Sequence, residues 1–156
     1  MDYDLILLRL KKESPKKCSL TPLRRRDELP VRWIHCAIGD EVDVGDVVLL
    51  HPDGEVLSPQ DRDRPLLLID SSWRDLPRVL RGVSGDMRLR KLPNCLRTAY
   101  PRKSLTFDDP TNGLASIEAL HAACALLGKR DDSLLDGYYW ADEYLRLNAE
   151  FLPAPA

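Results

Sequence analysis

The sequence lacks the segments and motifs that mark several common classes of protein. Aromatic residues make up only 6% of the 156 residues, and every apolar run is far shorter than the ~20 residues that cross a bilayer. The first residues are acidic, unlike the basic start of a secretory signal, so we expect a cytoplasmic protein with no membrane segment. A P-loop, a G-x-G-x-x-G fingerprint and a G-x-S-x-G nucleophile motif are also missing. Generic motifs therefore identify no activity.

Cysteine and histidine are too few and too scattered to indicate a metal site. The four cysteines form no C-x-x-C pair, and the three histidines occur in no H-E-x-x-H frame. We therefore predict no bound metal. In a reducing compartment the cysteines are expected to be free thiols, most of them packed as small hydrophobic side chains.

Charge is distributed unevenly along the chain, although the net charge is only −2. Residues 1–107 carry a net charge of +4, whereas residues 108–156 carry −6. Within the first part, residues 9–26 and 74–103 each carry +7. Basic clusters on one side of a fold attract a phosphate backbone, so RNA binding is one interpretation of this pattern. The alternative interpretation of such clusters is a solvated surface.

The apolar pattern alternates strands with helices and then becomes helical. Two nearly continuous apolar runs, at residues 4–10 and 65–69, are typical of strands buried on both faces of a parallel sheet. Further strands are predicted over residues 31–38, 47–50 and 88–92, with a turn at 52–54, and helices over residues 72–81, 114–127 and 131–151. We therefore predict an α/β fold, in which a parallel sheet with flanking helices is followed by a C-terminal helical part.

Polar residues follow the second buried strand at Asp70-Ser71-Ser72-Trp73. Open α/β sheets bind ligands at the carboxyl ends of their strands, so this segment is a candidate site. Asp70 and the two serines are equally suited to cap a following helix, because capping selects the same residue types. The pattern alone leaves both roles open.

Six short motifs occur in an order that resembles one protein family. They are S-P-K-K-C-S at 14–19, L-S-P-Q-D at 57–61, L-L-I-D-S-S-W at 67–73, L-P at 92–93, L-A-S-I-E-A-L at 114–120 and Y-W-A-D-E-Y-L-R-L-N at 139–148. The set is similar to that of the ribosome-biogenesis aminocarboxypropyltransferases, which modify small-subunit ribosomal RNA. The D-x-S-W spacing favours this family over the related DTW-domain enzymes that modify tRNA uridine.

The resemblance implies a SPOUT-like, knotted α/β fold with S-adenosylmethionine as cofactor. It implies an enzyme that transfers the 3-amino-3-carboxypropyl group to a uridine or pseudouridine of RNA, with small-subunit rRNA as the first choice. One alternative is a tRNA uridine aminocarboxypropyltransferase. Another is a non-catalytic RNA-binding ribosome-assembly factor, because the family's Asn-Pro-Val-Asn stretch is missing after Leu96. The expected partner is rRNA or a pre-ribosomal subunit, with tRNA as the alternative, and the chain is expected to be a monomer.

The resemblance also implies a division of the chain and a set of site residues. Residues 1–92 would form the cofactor-binding part, and residues 93–156 the helical part that completes the site. Asp70 would be catalytic, as a base or as a carboxylate that positions RNA. Trp73 would shield the methyl group of the sulfonium. The expected cofactor-binding residues are Ser19, Leu68, Trp73, Leu96, Leu114 and Ser116. The expected RNA-binding residues are Lys16, Lys17, Arg24, Arg25, Arg26, Arg88, Arg90 and Lys91. The alternative roles are capping for the serines and core packing for the leucines.

Overall fold

A computed structural model describes residues 4–10, 19–71, 75–100 and 114–154 of the chain. Its strands are β1 (Leu5–Leu10), β2 (Val31–Cys36), β3 (Val42–Asp43), β4 (Val47–Val56), β5 (Leu66–Asp70), β6 (Val83–Ser84) and β7 (Met87–Lys91). Its α-helices are α1 (Leu76–Leu80), α2 (Ser116–Leu126) and α3 (Ala141–Asn148), and short 3₁₀ helices cover Thr21–Arg25, Pro59–Asp63 and Asp132–Leu135.

Five strands form one parallel sheet in the order β2-β1-β5-β4-β7. The central strands β1 and β5 are buried on both faces, as their apolar runs predict. One hydrophobic cluster packs α2 and α3 against one face, and a second cluster packs α1 against the other. The prediction of an α/β fold with a parallel sheet is thereby confirmed.

The predicted turn at residues 52–54 is wrong, because β4 continues through this segment to Val56. The register against β7 shifts between Leu50 and Glu55, which is the mark of a bulge. Gly54 lies so close to β7 that a Cβ there would come within 2.3 Å of the Leu89 carbonyl carbon. Glycine therefore permits a close approach between strands here and does not end the strand.

The predicted helix over residues 131–151 is also wrong in its extent. Asp131 accepts a hydrogen bond from the Ser133 amide and starts a single 3₁₀ turn, and α3 begins only at Ala141. Gly137, between the two, has φ of +84°, a conformation that ends helical structure. The prediction over residues 114–127 is confirmed by α2. The prediction over 72–81 is confirmed only at its end by α1, since residues 72–74 lie outside the described residues.

The C-terminal helices share a hydrophobic core with the sheet. Leu7 and Leu68 of the sheet belong to the same cluster as Leu120 of α2 and Tyr144 of α3. This arrangement places the start of α2 near the carboxyl ends of β1 and β5. Within the described ranges, none of the helices has the length and apolar character needed to cross a membrane.

Candidate functional site

The strands β1 and β5 are neighbours, and the connections that leave their carboxyl ends run to opposite sides of the sheet. After β1 the chain continues to β2 on one side, whereas after β5 it continues to β7 on the other side. Adjacent parallel strands whose connections diverge leave a crevice, and open α/β sheets bind ligands there. Arg9 and Asp70 are direct neighbours across β1 and β5 at this point.

Asp70 is connected to both parts of the chain. Its Oδ1 accepts a hydrogen bond from the Ser116 hydroxyl at 3.0 Å, and its Oδ2 lies 3.7 Å from Nε of Arg9. Arg9 is only 4% exposed and also donates to the Thr21 hydroxyl at 3.4 Å. The buried guanidinium beside the carboxylate restricts the positions of both groups. The structure therefore places a fixed carboxylate at the mouth of the crevice.

Ser19 lies at the start of α2. Its hydroxyl oxygen accepts a hydrogen bond from the Ile117 amide at 3.0 Å, so it satisfies one of the N–H groups that a helix leaves free. Ser116, the first residue of α2, is half-buried. The structure thus brings Ser19, Asp70 and Ser116 together around one helix N-terminus, where free N–H groups and the helix dipole attract an anion.

A buried carboxylate joins the start of α2 to the segment after β7. Glu118 is fully buried and accepts hydrogen bonds from the Ala115 amide at 2.9 Å, the Ala99 amide at 2.9 Å and the Thr98 hydroxyl at 2.6 Å. On the other side of this segment, the buried Asn148 accepts from the Arg97 amide at 2.8 Å and donates to its carbonyl oxygen at 2.8 Å. Residues 97–99 are therefore fixed from both sides.

The predicted leucines lie together in the core. Leu68, Leu96 and Leu114 are buried and belong to the same hydrophobic cluster. Their side chains are packed in the core, so a bound ligand would reach these residues through their backbone groups. Trp73 lies outside the described residues, so its role as a methyl shield stays a prediction.

The predicted RNA-binding arginines divide into two kinds. Arg24 and Arg25 are exposed, whereas Arg26 donates to the Ser133 carbonyl oxygen at 2.6 Å. Arg88 forms ion pairs with Asp61 at 3.1 Å and Asp63 at 2.8 Å, and Arg90 contacts Asp61 at 3.2 Å. The half-buried Lys91 ends β7, and Lys16 and Lys17 lie outside the described residues.

The acidic partners explain why the second basic cluster differs from the first. Asp61 is 3% exposed, so Arg88 and Arg90 supply the positive charge that a buried carboxylate needs. The hydrogen bonds that Arg88 donates to Asp63 lower the pKa of Asp63. These bonds, followed by the one that Arg88 donates to Asp61, raise the pKa of Arg88. An RNA phosphate at this cluster would compete with these carboxylates, whereas Arg24 and Arg25 are exposed on the surface.

Sequence reasoning missed Arg9, Glu118 and Asn148 as parts of the site. Each is a polar residue within an otherwise apolar pattern: Arg9 in the first buried run, Glu118 in the apolar start of α2, and Asn148 on the apolar face of α3. A buried polar side chain requires partners, so this contrast with the surrounding residues is the signal that identifies them.

One cavity lies away from this site. A hollow of about 470 Å³ opens at the amino ends of the strands, lined by Asp4, Arg32, Arg64 and Lys129 among others. Its charges are of both signs, and Lys129 already lies 3.8 Å from Asp4. The cavity therefore does not contribute to the site at the carboxyl ends.

Three similarities connect the chain with known proteins. Residues 47–154 match the protein family described as "Ribosome biogenesis protein, C-terminal". A 16S rRNA aminocarboxypropyltransferase from Halobacterium salinarum is 33% identical over 141 residues, which are 88% of this chain and 78% of that protein. The structure of a SAM-dependent rRNA:acp-transferase from Vulcanisaeta distributa superposes with a TM-score of 0.69 at 25% identity, covering 94% of this chain and 79% of that one.

Proposed function

Because the chain belongs to the family of ribosome biogenesis proteins defined by their C-terminal part, we propose that it is an rRNA aminocarboxypropyltransferase. It uses S-adenosylmethionine and transfers the 3-amino-3-carboxypropyl group to a uridine or pseudouridine of small-subunit rRNA. The observation that carries the proposal is the proximity of Ser19, Asp70 and Ser116 at the carboxyl ends of β1 and β5. The fold around them is similar to that of a transferase over 94% of the chain.

The chemistry of these residues fits the cofactor. The N-terminus of α2 suits the carboxylate of the amino-acid arm, since free N–H groups bind anions, and the Ser116 hydroxyl holds Asp70 beside it. Leu68, Leu96 and Leu114, whose side chains are buried, are assigned contacts with the cofactor through their backbone groups, and Ser19 fixes the first turn of α2. When bound, S-adenosylmethionine supplies a sulfonium with three electrophilic carbons. The protein therefore selects the reacting carbon by position, and Trp73 is assigned to cover the methyl group.

Asp70 is assigned to the incoming base. The imide nitrogen of a uridine or pseudouridine carries a proton at neutral pH, so an acceptor within hydrogen-bonding reach assists its attack. The contacts with Arg9 and Ser116 support this role, because they fix the carboxylate at the carboxyl end of β5. Asp70 then acts as the base or as the group that positions the nucleotide.

The phosphates of the RNA are assigned first to five basic residues, of which Arg24 and Arg25 are exposed. Arg24 and Arg25, with Lys16, Lys17 and Lys91, position the RNA backbone without reading its sequence. Arg26, Arg88 and Arg90 contribute where the phosphate replaces or adds to a contact within the protein. The salt dependence of binding distinguishes these two groups, because each neutralised phosphate increases its slope.

Finer features of the protein follow from the same assignment. We propose a SPOUT-like, knotted chain that acts as a monomer in the cytoplasm on a pre-ribosomal subunit. Residues 1–92 bind the cofactor, and residues 93–156 complete the site. The bond between Asp70 and Ser116, which joins these two parts, supports the division. The relation to DTW-domain enzymes makes tRNA the alternative substrate.

Mass spectrometry of nucleosides tests the proposed function. Digested rRNA and tRNA are compared between cells that carry the gene and cells that lack it. An aminocarboxypropylated nucleoside should disappear from small-subunit rRNA when the gene is lost and return with the unaltered gene, but not with Asp70→Asn. Its loss from tRNA alone would select the tRNA alternative. Unchanged nucleosides in both RNAs, with a defect in subunit assembly, would favour a non-catalytic assembly factor.

A further inference from the structure

Two aromatic side chains of β2 lie on the same face of the sheet as Arg9 and Asp70. Residues paired in a parallel ladder point to the same face, and Arg9 is paired with Asp70 on one side and with His35 on the other. Trp33, two residues before His35, shares that face. Because neighbouring strands are ~4.8 Å apart, the backbone of His35 lies roughly 10 Å from that of Asp70.

Guanidinium groups and an aromatic ring are stacked around Trp33. The guanidinium carbon of Arg9 lies 5.3 Å from the centre of the Trp33 ring, and that of Arg24 lies at 5.2 Å. The His35 ring is nearly parallel to Trp33, with 21° between the planes and 6.4 Å between the centres. Trp33 is half-buried, whereas His35 and Arg24 are exposed. The inner members of the group are thus fixed and the outer members face solvent.

The core alone does not account for this arrangement. Trp33 packs against the hydrophobic cluster, but His35 on the edge strand is exposed. Arg24 is exposed too, and it lies next to the exposed Arg25. Aromatic rings and guanidinium planes beside free positive charge are the surfaces on which unpaired bases stack, with the charge bound to phosphate.

We propose that Trp33, His35 and Arg24 form a stacking surface for unpaired bases of the substrate RNA that adjoin the modified nucleotide. The proposal rests on the proposed function, since it places these bases beside Asp70. The ring of His35 and the guanidinium of Arg24 provide the contact planes, and Trp33 supports them from the core side. Specificity for single-stranded RNA follows, because a base within a duplex has no free face.

The test measures the affinity of the full chain for a labelled single-stranded RNA and for the same strand with abasic sites. His35→Ala should weaken binding of the intact RNA by about 5- to 100-fold, the range for the loss of one stacked base. Binding of the abasic strand should not change, and neither should the salt dependence, because no phosphate contact is removed. His35→Phe should restore affinity, since it keeps a planar ring.

Two further variants separate stacking from charge and from folding. Arg24→Ala should weaken binding of both strands and reduce the slope of log affinity against log salt by about 0.7. Trp33→Phe should retain binding. Tyr139→Ala is the control, because Tyr139 is an aromatic residue that is 86% exposed in the acidic C-terminal part, and it should behave as the unaltered protein.

The proposal is overturned if His35→Ala binds intact RNA as well as the unaltered protein does. It is equally overturned if the variant loses affinity for the intact and abasic strands alike. Failure of the proposed function gives a different result, namely an unaltered protein that shows no heat of binding with S-adenosylmethionine. The comparison of intact and abasic RNA can still be interpreted in that case.

Discussion

Replacement of Glu118 by glutamine should both destabilise the protein and weaken its cofactor binding. The carboxylate accepts hydrogen bonds from Thr98 and Ala115 on Oε1 and from Ala99 on Oε2. A glutamine keeps one acceptor oxygen, and its amide N–H groups then face at least one of these donors. The loss of one hydrogen bond to a buried charged group costs about 1.5–3 kcal/mol. Part of this cost is offset because the amide no longer buries a charge, so we expect a loss of about 2 kcal/mol.

Urea unfolding measures this change, and calorimetry measures its effect on the site. Glu118→Gln should lower the unfolding midpoint, and S-adenosylmethionine should bind more weakly, because residues 97–99 and the start of α2 lose their common anchor. Glu143→Gln is the matched control, since Glu143 pairs with Arg146 on the surface and its loss should change neither measurement appreciably. Unchanged stability and affinity in Glu118→Gln would refute the assignment of Glu118 as this anchor.

Three further predictions concern Ser116, Arg88 and His121, a buried residue of α2 whose ring lies 2.9 Å from the Tyr144 hydroxyl and 2.7 Å from Asp132 Oδ1. Ser116→Ala removes the hydroxyl that donates to Asp70 and should weaken S-adenosylmethionine binding by about 3- to 10-fold in calorimetry. Ser84→Ala, at an exposed serine, is the control and should not change the affinity. Equal affinities of Ser116→Ala and the unaltered protein would contradict a role of Ser116 in the site. Burial lowers the pKa of His121 below its ordinary value of 6.5, so the unfolded chain protonates first and stability should fall as the pH drops below about 6.5. His121→Gln should flatten this part of the unfolding profile, and a profile as steep as before would show that another group is responsible. Arg88→Ala should lower the free energy of unfolding in urea and leave the salt dependence of RNA binding nearly unchanged. Unchanged stability with a shallower salt dependence would make Arg88 a primary phosphate contact.

The two central strands could be predicted because their burial is complete. A strand with both faces covered, such as β1 or β5, has a continuous apolar run, which few other structures of that length produce. The edge strand β2 shows a mixed pattern, and β3 and β6, of two residues each, are too short to show any. The predictions at Gly54 and Gly137 failed for one reason. Glycine can end an element or permit a close approach, and the groups packed against it are distant in the sequence: the Leu89 backbone for Gly54 and the Pro22 side chain for Gly137.

The site could be predicted only in part from the sequence. Asp70 follows a buried strand, so its position at a sheet edge could be derived from the pattern. The pairing of Asp70 with Arg9 and Ser116 could not, because residue 116 is 46 positions away and the bond depends on how α2 packs on the sheet. The difference between Arg24 and Arg88 was equally hidden, since it depends on the buried Asp61 beside only one of them.

The nucleoside by-product of the purified reaction tests the central claim most directly. The protein is incubated with S-adenosylmethionine and small-subunit rRNA, and the released nucleoside is identified by chromatography and mass spectrometry. Transfer of the 3-amino-3-carboxypropyl group leaves methylthioadenosine, in an amount equal to the modified nucleotide formed. S-adenosylhomocysteine in its place would mean that the methyl group had been transferred, and it would contradict the account.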